Sequence, residues 1–192
     1  MMALAFASSC STPSSVALIS IPLDYKTMAE PGDFPSLPAC ASLSGVEVVD
    51  GRAEKTIGKR FIEGNASTVV PVTTSSDVAT WARNGALDIL RSSGVTIGKP
   101  GAPVLRLAIE EIRTNENVVR RSGYDGRIVA SGQLIRGGTV LWSDRGNGSA
   151  ENYGYSGRAD NYQETLNHAL DRAVLGLLSR PQFRKEICSG QR

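Results

Sequence analysis

The chain has 192 residues, 21 Lys and Arg against 19 Asp and Glu, a formal net charge of +2, and 41% hydrophobic residues. That length supports one domain with its own core plus a tail, the balanced charge excludes the long basic blocks of an electrostatic nucleic-acid binder, and no apolar run reaches the length of a membrane-spanning helix. Three cysteines without a CxxC spacing and a single histidine make no zinc-binding set, so neither a metal nor a cofactor is expected.

Met2 to Ala7 is a short apolar run, followed by Ser8-Ser9-Cys10-Ser11. Ala7-Ser8-Ser9-Cys10 resembles a bacterial lipobox, in which a signal peptidase cuts before a cysteine that then carries lipid. It departs from that pattern in having Ala where Leu is usual, and no Lys or Arg stands upstream. Residues 1–10 are therefore read as a truncated lipoprotein signal ending at Cys10, the expected lipid attachment site; the alternative is a frayed terminus with an incidental cysteine. Residues 11–44 are rich in Ser and Pro, which forbids a regular helix, and are expected to form an extended tether. Ile19, Ile21, Leu23 and Tyr25 alternate there, as in a short docked strand. Setting Cys10 aside leaves Cys40 and Cys188, which in an oxidising compartment either bridge the tether to the C-terminal end or stay as two thiols.

Residues 45–192 are expected to form a single domain. Gly45 to Asp50 reads as its first strand, closed by the turn Asp50-Gly51-Arg52, and Ser67 to Val72 is β-branched and suits an edge strand. Ser75 or Ser76 offers an N-cap, with Asp77 in the first turn, for a helix whose apolar stripe runs Val78, Trp81, Ala82, Gly85, Ala86, Ile89, Leu90 and stops at Gly94. Gly85 inside that stripe implies a close approach, expected against the sheet.

Pro103 to Arg145 predicts a β-meander. Leu105, Leu107 and Ile109 alternate with polar residues, Thr114 to Asn117 is a polar break, and Ile128, Ala130, Gly132 and Leu134 alternate again. Gly137-Gly138 then predicts a two-residue hairpin turn before Thr139 to Trp142. Asp144 to Asp160 is read as a long polar loop holding Tyr153 and Tyr155, the best stretch for a binding surface. Its Arg145 to Ser149 segment has a superficial phosphate-loop look, without the GK[ST] ending. A last amphipathic helix follows, capped by Asp160 and Gln163, with Tyr162, Leu166, Ala169, Leu170, Ala173, Val174 and Leu177 on one side and His168 off the stripe. The expected architecture is α+β: a two-layer sandwich, a mostly antiparallel sheet with two helices packed on one face.

Val48-Val49-Asp50-Gly51-Arg52 followed by Ile57-Gly58 is similar to the opening of YajG-type bacterial lipoproteins. The likeness continues at Ala86-Leu87, Leu90 and Gly94, at Leu105, Leu107 and Ile109, and closes at Ala169-Leu170, Ala173-Val174 and Leu177-Leu178. It covers most of residues 45–187. The resemblance implies a lipid-anchored protein on the periplasmic face of the outer membrane, with no catalytic residues to carry over. Related architectures in auxiliary lipoproteins imply, as an alternative, a subunit of an ABC-type lipid or solvent transport system.

The functional expectation is thus a non-enzymatic envelope lipoprotein that binds or assembles with an envelope protein complex or lipid, with no nucleic-acid partner. Asp50, Arg52, Tyr153 and Tyr155 are the candidate binding residues; for Asp50 and Arg52 the other reading is a pair that ties its own turn. Glu110 and Glu111 are neighbours in a strand, so they are expected on opposite faces and unable to act as a dyad.

Overall fold

The computed structural model describes residues 19–61, 69–119 and 121–189. Three strands of 16 residues dominate it: β7 (Val104–Val119), β8 (Arg121–Arg136) and β9 (Thr139–Gly154) form an antiparallel meander. Gly137 and Gly138 both have positive φ, 53° and 81°, as the tight β8–β9 turn requires. The end of the meander at Val104, Arg136 and Thr139 is called the base here, and the end at Val119, Arg121 and Gly154 the tip. Strand β7 also pairs in parallel on its other side, with β3 (Gly45–Asp50) near the base and β4 (Gly58–Phe61) near the tip. Antiparallel β5 (Val69–Thr73) joins β4, and β1 (Ile19–Ser20) lies parallel to β5 at the edge. A separate parallel pair links β2 (Ser42–Leu43) to β6 (Thr96–Ile97).

The meander strands are longer than the sequence pattern predicts, and for β7 a β-bulge explains why. Leu105, Leu107 and Ile109 face inward; the register shifts at Glu110, and Ile112, Thr114 and Glu116 take over the inner face. The hydrophobic phase changes from odd to even positions there, so Thr114 to Asn117 reads as a break although the strand continues. The same bulge corrects the reading of Glu110 and Glu111. Both carboxylates reach arginines of the other two meander strands, Glu110 to Arg145 of β9 at 2.7 Å and Glu111 to Arg127 of β8 at 3.9 Å, on the solvent face of the sheet.

Helices α1 (Val78–Ser92) and α2 (Ala159–Leu178) cover the inner face and touch each other, and the short α3 (Pro181–Glu186) closes the base. The fold is α+β with a mostly antiparallel mixed sheet and two main helices against it. Asp77, one residue beyond the expected serines, caps α1 by accepting from the Thr80 amide; Ser76 instead accepts from the Leu23 amide. Helix α2 starts at Ala159, with Arg158 at the cap position and no side-chain cap. Among the described residues no helix is long and apolar enough to cross a membrane.

The stretch expected as a long polar loop, Asp144 to Asp160, is mostly strand: β9 runs on to Gly154. Its glycines let α2 lie directly on it. A Cβ on Gly148 would stand 1.8 Å from the Ala169 carbonyl oxygen, and one on Gly146 would stand 2.5 Å from that of Ala173. The glycines are thus an inner-face surface fitted to a helix, not loop punctuation. Gly85 serves the same end against different neighbours than expected. A Cβ there would meet Leu170 of α2 and the ring of Tyr25, each at 2.7 Å, so the close approach is to α2 and to the N-terminal segment, not to the sheet.

Residues 19–44, assigned from sequence to a tether, pack on the domain as an irregular strap with a single 3-10 turn at Pro31–Asp33. Ile21, Leu23, Ala41 and Leu43 belong to the same core as the helices, so the core crosses the boundary placed at residue 45. Asp171, buried on α2, fastens this strap: it accepts from the Tyr25 hydroxyl (2.7 Å) and from the amides of Met28 (2.7 Å) and Ala29 (3.0 Å). One turn earlier on α2, Asn167 accepts from the Trp81 indole (2.9 Å) and donates to the Asp24 carbonyl (3.1 Å). Cys40 at the far end of the strap and Cys188 after α3 are joined as a disulfide, Cα to Cα 5.4 Å, across 148 residues of sequence.

The free edge of β9 is guarded by side chains. Asp144 accepts from the Arg145 amide (2.7 Å), Asn152 from the Tyr153 amide (2.8 Å), and Arg172 of α2 donates to the Ser149 carbonyl. Occupying outward backbone groups in this way discourages pairing with another strand.

Candidate functional site

The four residues singled out from sequence do not converge. Asp50 stands opposite Ile109, midway along the sheet, whereas Tyr153 lies in the row of Asn117 and Gly123 at the tip. Eight residues of strand, roughly 25 Å, separate the two levels.

Around Asp50 the geometry is that of a tied turn. Arg52 is only 6% exposed. It meets Asp50 through Nε (2.8 Å) and Nη2 (3.0 Å), and its Nη1 donates to the Thr56 carbonyl (3.1 Å). Lys55 adds a third cationic contact to Asp50 at 3.1 Å. The Arg52 hydrogen bond holds the Asp50 carboxyl well below the usual carboxylate range. A guanidinium that is buried and forked on its own turn has little left to offer a ligand.

The tip is different. Tyr153 and Tyr155 are 73% and 85% exposed, the most open of the large hydrophobic residues described, and Phe61 and Val69 at the same end are also exposed. Phe61 pairs with Asn117, Asn117 with Gly123, and Gly123 with Tyr153. Two aromatic side chains therefore flank a trough floored by Asn117 and Gly123 on the outer face. The Tyr153 ring leans over Gly123, 3.5 Å from where a Cβ would stand.

Beneath this surface lies a polar knot that sequence reading missed. Glu116 is completely buried. It accepts from the Tyr162 hydroxyl (2.5 Å) and the Gly157 amide (2.7 Å), and lies 3.3 Å from Nε of Arg60. The Tyr124 hydroxyl donates to the Tyr155 carbonyl (2.7 Å) and sits 3.1 Å from Glu116. The Tyr124 and Tyr162 rings meet edge to face at 5.0 Å. Asn161 also donates to the Tyr155 carbonyl (3.0 Å), and Arg60 to the Ser156 hydroxyl. Burial, reinforced by Glu116, raises the Tyr162 hydroxyl pKa far above the tyrosine range, and burial raises that of Tyr124 too.

The knot's geometry is that of a brace. The Glu116 oxygens are already shared among two tyrosines, an amide and a guanidinium, which fills a carboxylate's acceptor capacity. What these bonds fix is the turn from Gly154 to Arg158 that carries Tyr155 at its outer surface. The polar run Thr114 to Asn117 was the one sequence signal of the knot. Without the phase change at Glu110, nothing in the sequence turns Glu116 inward.

No known family model matches the chain, and no curated protein matches it. Among solved structures it is similar to XCC0632 from Xanthomonas campestris, of the family described as DUF330. The TM-score is 0.51 at 9% identity, covering 92% of this chain and 98% of that one. At that identity the likeness is one of fold alone. More distant are a candidate lipoprotein from Caulobacter crescentus (TM-score 0.45, 15% identity, 79% of this chain and 96% of that one) and a PelC dodecamer subunit from Paraburkholderia phytofirmans (0.42, 17%, 76% and 91%).

Proposed function

We propose that this protein is a non-enzymatic bacterial envelope lipoprotein, anchored through Cys10 to the periplasmic face of the outer membrane, whose domain docks another envelope component. The observation that carries the reading is the pairing of Cys40 with Cys188. The sequence holds three cysteines. With two joined to each other, Cys10 has no cysteine of its own chain to pair with, and it stands where the lipobox-like run Ala7-Ser8-Ser9-Cys10 ends. A disulfide also suits an oxidising compartment. The tied turn at Asp50 and the saturated carboxylate at Glu116 favour docking over turnover.

The test is the intact mass of the protein recovered from the membrane fraction of a bacterium expressing the full gene. A diacylglyceryl adduct on Cys10, lost with Cys10→Ser together with membrane retention, is the expected result. An unmodified Cys10 in a soluble fraction sinks the reading.

A further inference from the structure

We propose that the tip of the sheet, bearing Tyr153 and Tyr155, is the surface that rests in the phospholipid headgroup layer of the anchoring membrane. The inference rests on the lipidation reading above and adds an orientation to it.

The first argument is the leash. Strand β1 is parallel to β5, β5 is antiparallel to β4, and β4 is parallel to β7, which runs from base to tip. Strand β1 therefore runs from tip toward base, and the chain enters it from the tip side. Ile19 pairs with Val72, Val72 with Gly58, and the next residue, Lys59, with Asn115. At roughly 3.3 Å per residue, counted along the unbulged β8, Ile19 lies about 15 Å from the tip and about 30 Å from the base. Cys10 is nine residues before Ile19 in the sequence, and nine extended residues span at most about 30 Å. The leash is long enough to lay the tip against the bilayer. To lay the base there it would have to double back and be drawn out to its full length.

The second argument is chemical and independent of the leash. Six large hydrophobic residues are exposed among those described, and four of them, Phe61, Val69, Tyr153 and Tyr155, are at the tip. Tyrosine carries an apolar ring and a polar hydroxyl, the combination that settles at the level of lipid headgroups. The buried brace under Tyr155 holds this ring outward in advance, so little ordering is left to be done on contact. The base has Val140, 51% exposed, and no comparable aromatic group among the described residues.

The experiment uses the full lipidated chain reconstituted in phosphatidylethanolamine–phosphatidylglycerol vesicles that contain brominated phospholipid. Tyr155→Trp places a quenchable reporter at the tip and Val140→Trp places one at the base. The native Trp81 and Trp142, both buried, give a background common to the two variants. The proposal expects the added emission of the Tyr155→Trp protein to shift to the blue and be lost to bromolipid, with the Val140→Trp emission unaffected. Equal quenching of both, quenching at position 140 alone, or quenching of neither in a preparation whose mass shows the lipid overturns the orientation and leaves the anchor standing. A mass lacking the lipid overturns the anchor, and the orientation falls with it.

Discussion

Glu116 is the residue on which the tip depends. Replacing it with Ala removes the acceptor of the Tyr162 hydroxyl and of the Gly157 amide, and the carboxylate beside the Tyr124 hydroxyl and the Arg60 guanidinium. Removing one member of a buried charged pair costs about 3–5 kcal/mol. Urea denaturation of Glu116→Ala is expected to show a loss in that range, with faster proteolysis between Gly154 and Arg158. Asp50 gives a prediction in pH. Its pKa is lowered in the folded chain, first by the Arg52 hydrogen bond. Its contribution is therefore complete above the unfolded carboxylate value, near about 4, and is lost as the pH falls further toward the folded value. Asp50→Asn should flatten the acid limb of a stability–pH curve and cost roughly 1.5–3 kcal/mol at neutral pH, the range for hydrogen bonds to charged groups. The turn around Asp50 was legible in sequence because its partners are two and five residues away. Glu116 was not, because its partners lie 8, 41, 46 and 56 residues off.

At the scale of elements, the joint between α2 and β9 decides stability. Gly148→Ala drives a methyl group into the Ala169 carbonyl and should cost at least about 3 kcal/mol, or prevent folding. Gly176, on α2 itself, has nothing within 4 Å of a would-be Cβ. Gly176→Ala should stabilise by about 0.5–1 kcal/mol through helix propensity. Thermal melts of the two variants compare a glycine fitted to the joint with one on α2 that faces open space. Both helices were legible, since their stripes keep a 3.6-residue period and their buried residues follow it. The lengths of the meander strands were not, for two reasons. The bulge at Glu110 breaks the alternation of β7, and β9 faces α2 with Gly146, Gly148 and Ala150, which carry no hydrophobic signal strong enough to mark a buried face.

For the whole molecule, the strap and the disulfide tie the two ends of the chain to one core. Closing a loop of 148 residues removes, in the chain-entropy model, about 5 kcal/mol from the unfolded state's advantage. Cys40→Ser with Cys188→Ser is expected to lower the denaturation midpoint by up to that amount in energy, and reduction of the native protein should do the same. The Cys40–Cys188 pair was visible in sequence only as one of two open alternatives, because spacing cannot report geometry. The docking of residues 19–44 was half visible, in the alternation of Ile19, Ile21, Leu23 and Tyr25. What fastens it, Asp171 and Asn167, sits on a helix more than 140 residues away.

That fastening has a mechanical consequence. A load applied at Ile19 meets two residue pairs of β1, then the Asp171 clamp, and finally the covalent stop at Cys40. The first two can give way in turn; the third cannot. Single-molecule stretching from residue 19 should therefore release the stretch from Ile19 to Ala39, about 70 Å of contour at full extension less the distance it already spans, before the meander bears any tension. After reduction, the same pull should run on past Cys40 and into β3. The strap would act as a shock absorber between a moving attachment point and a sheet that keeps its shape.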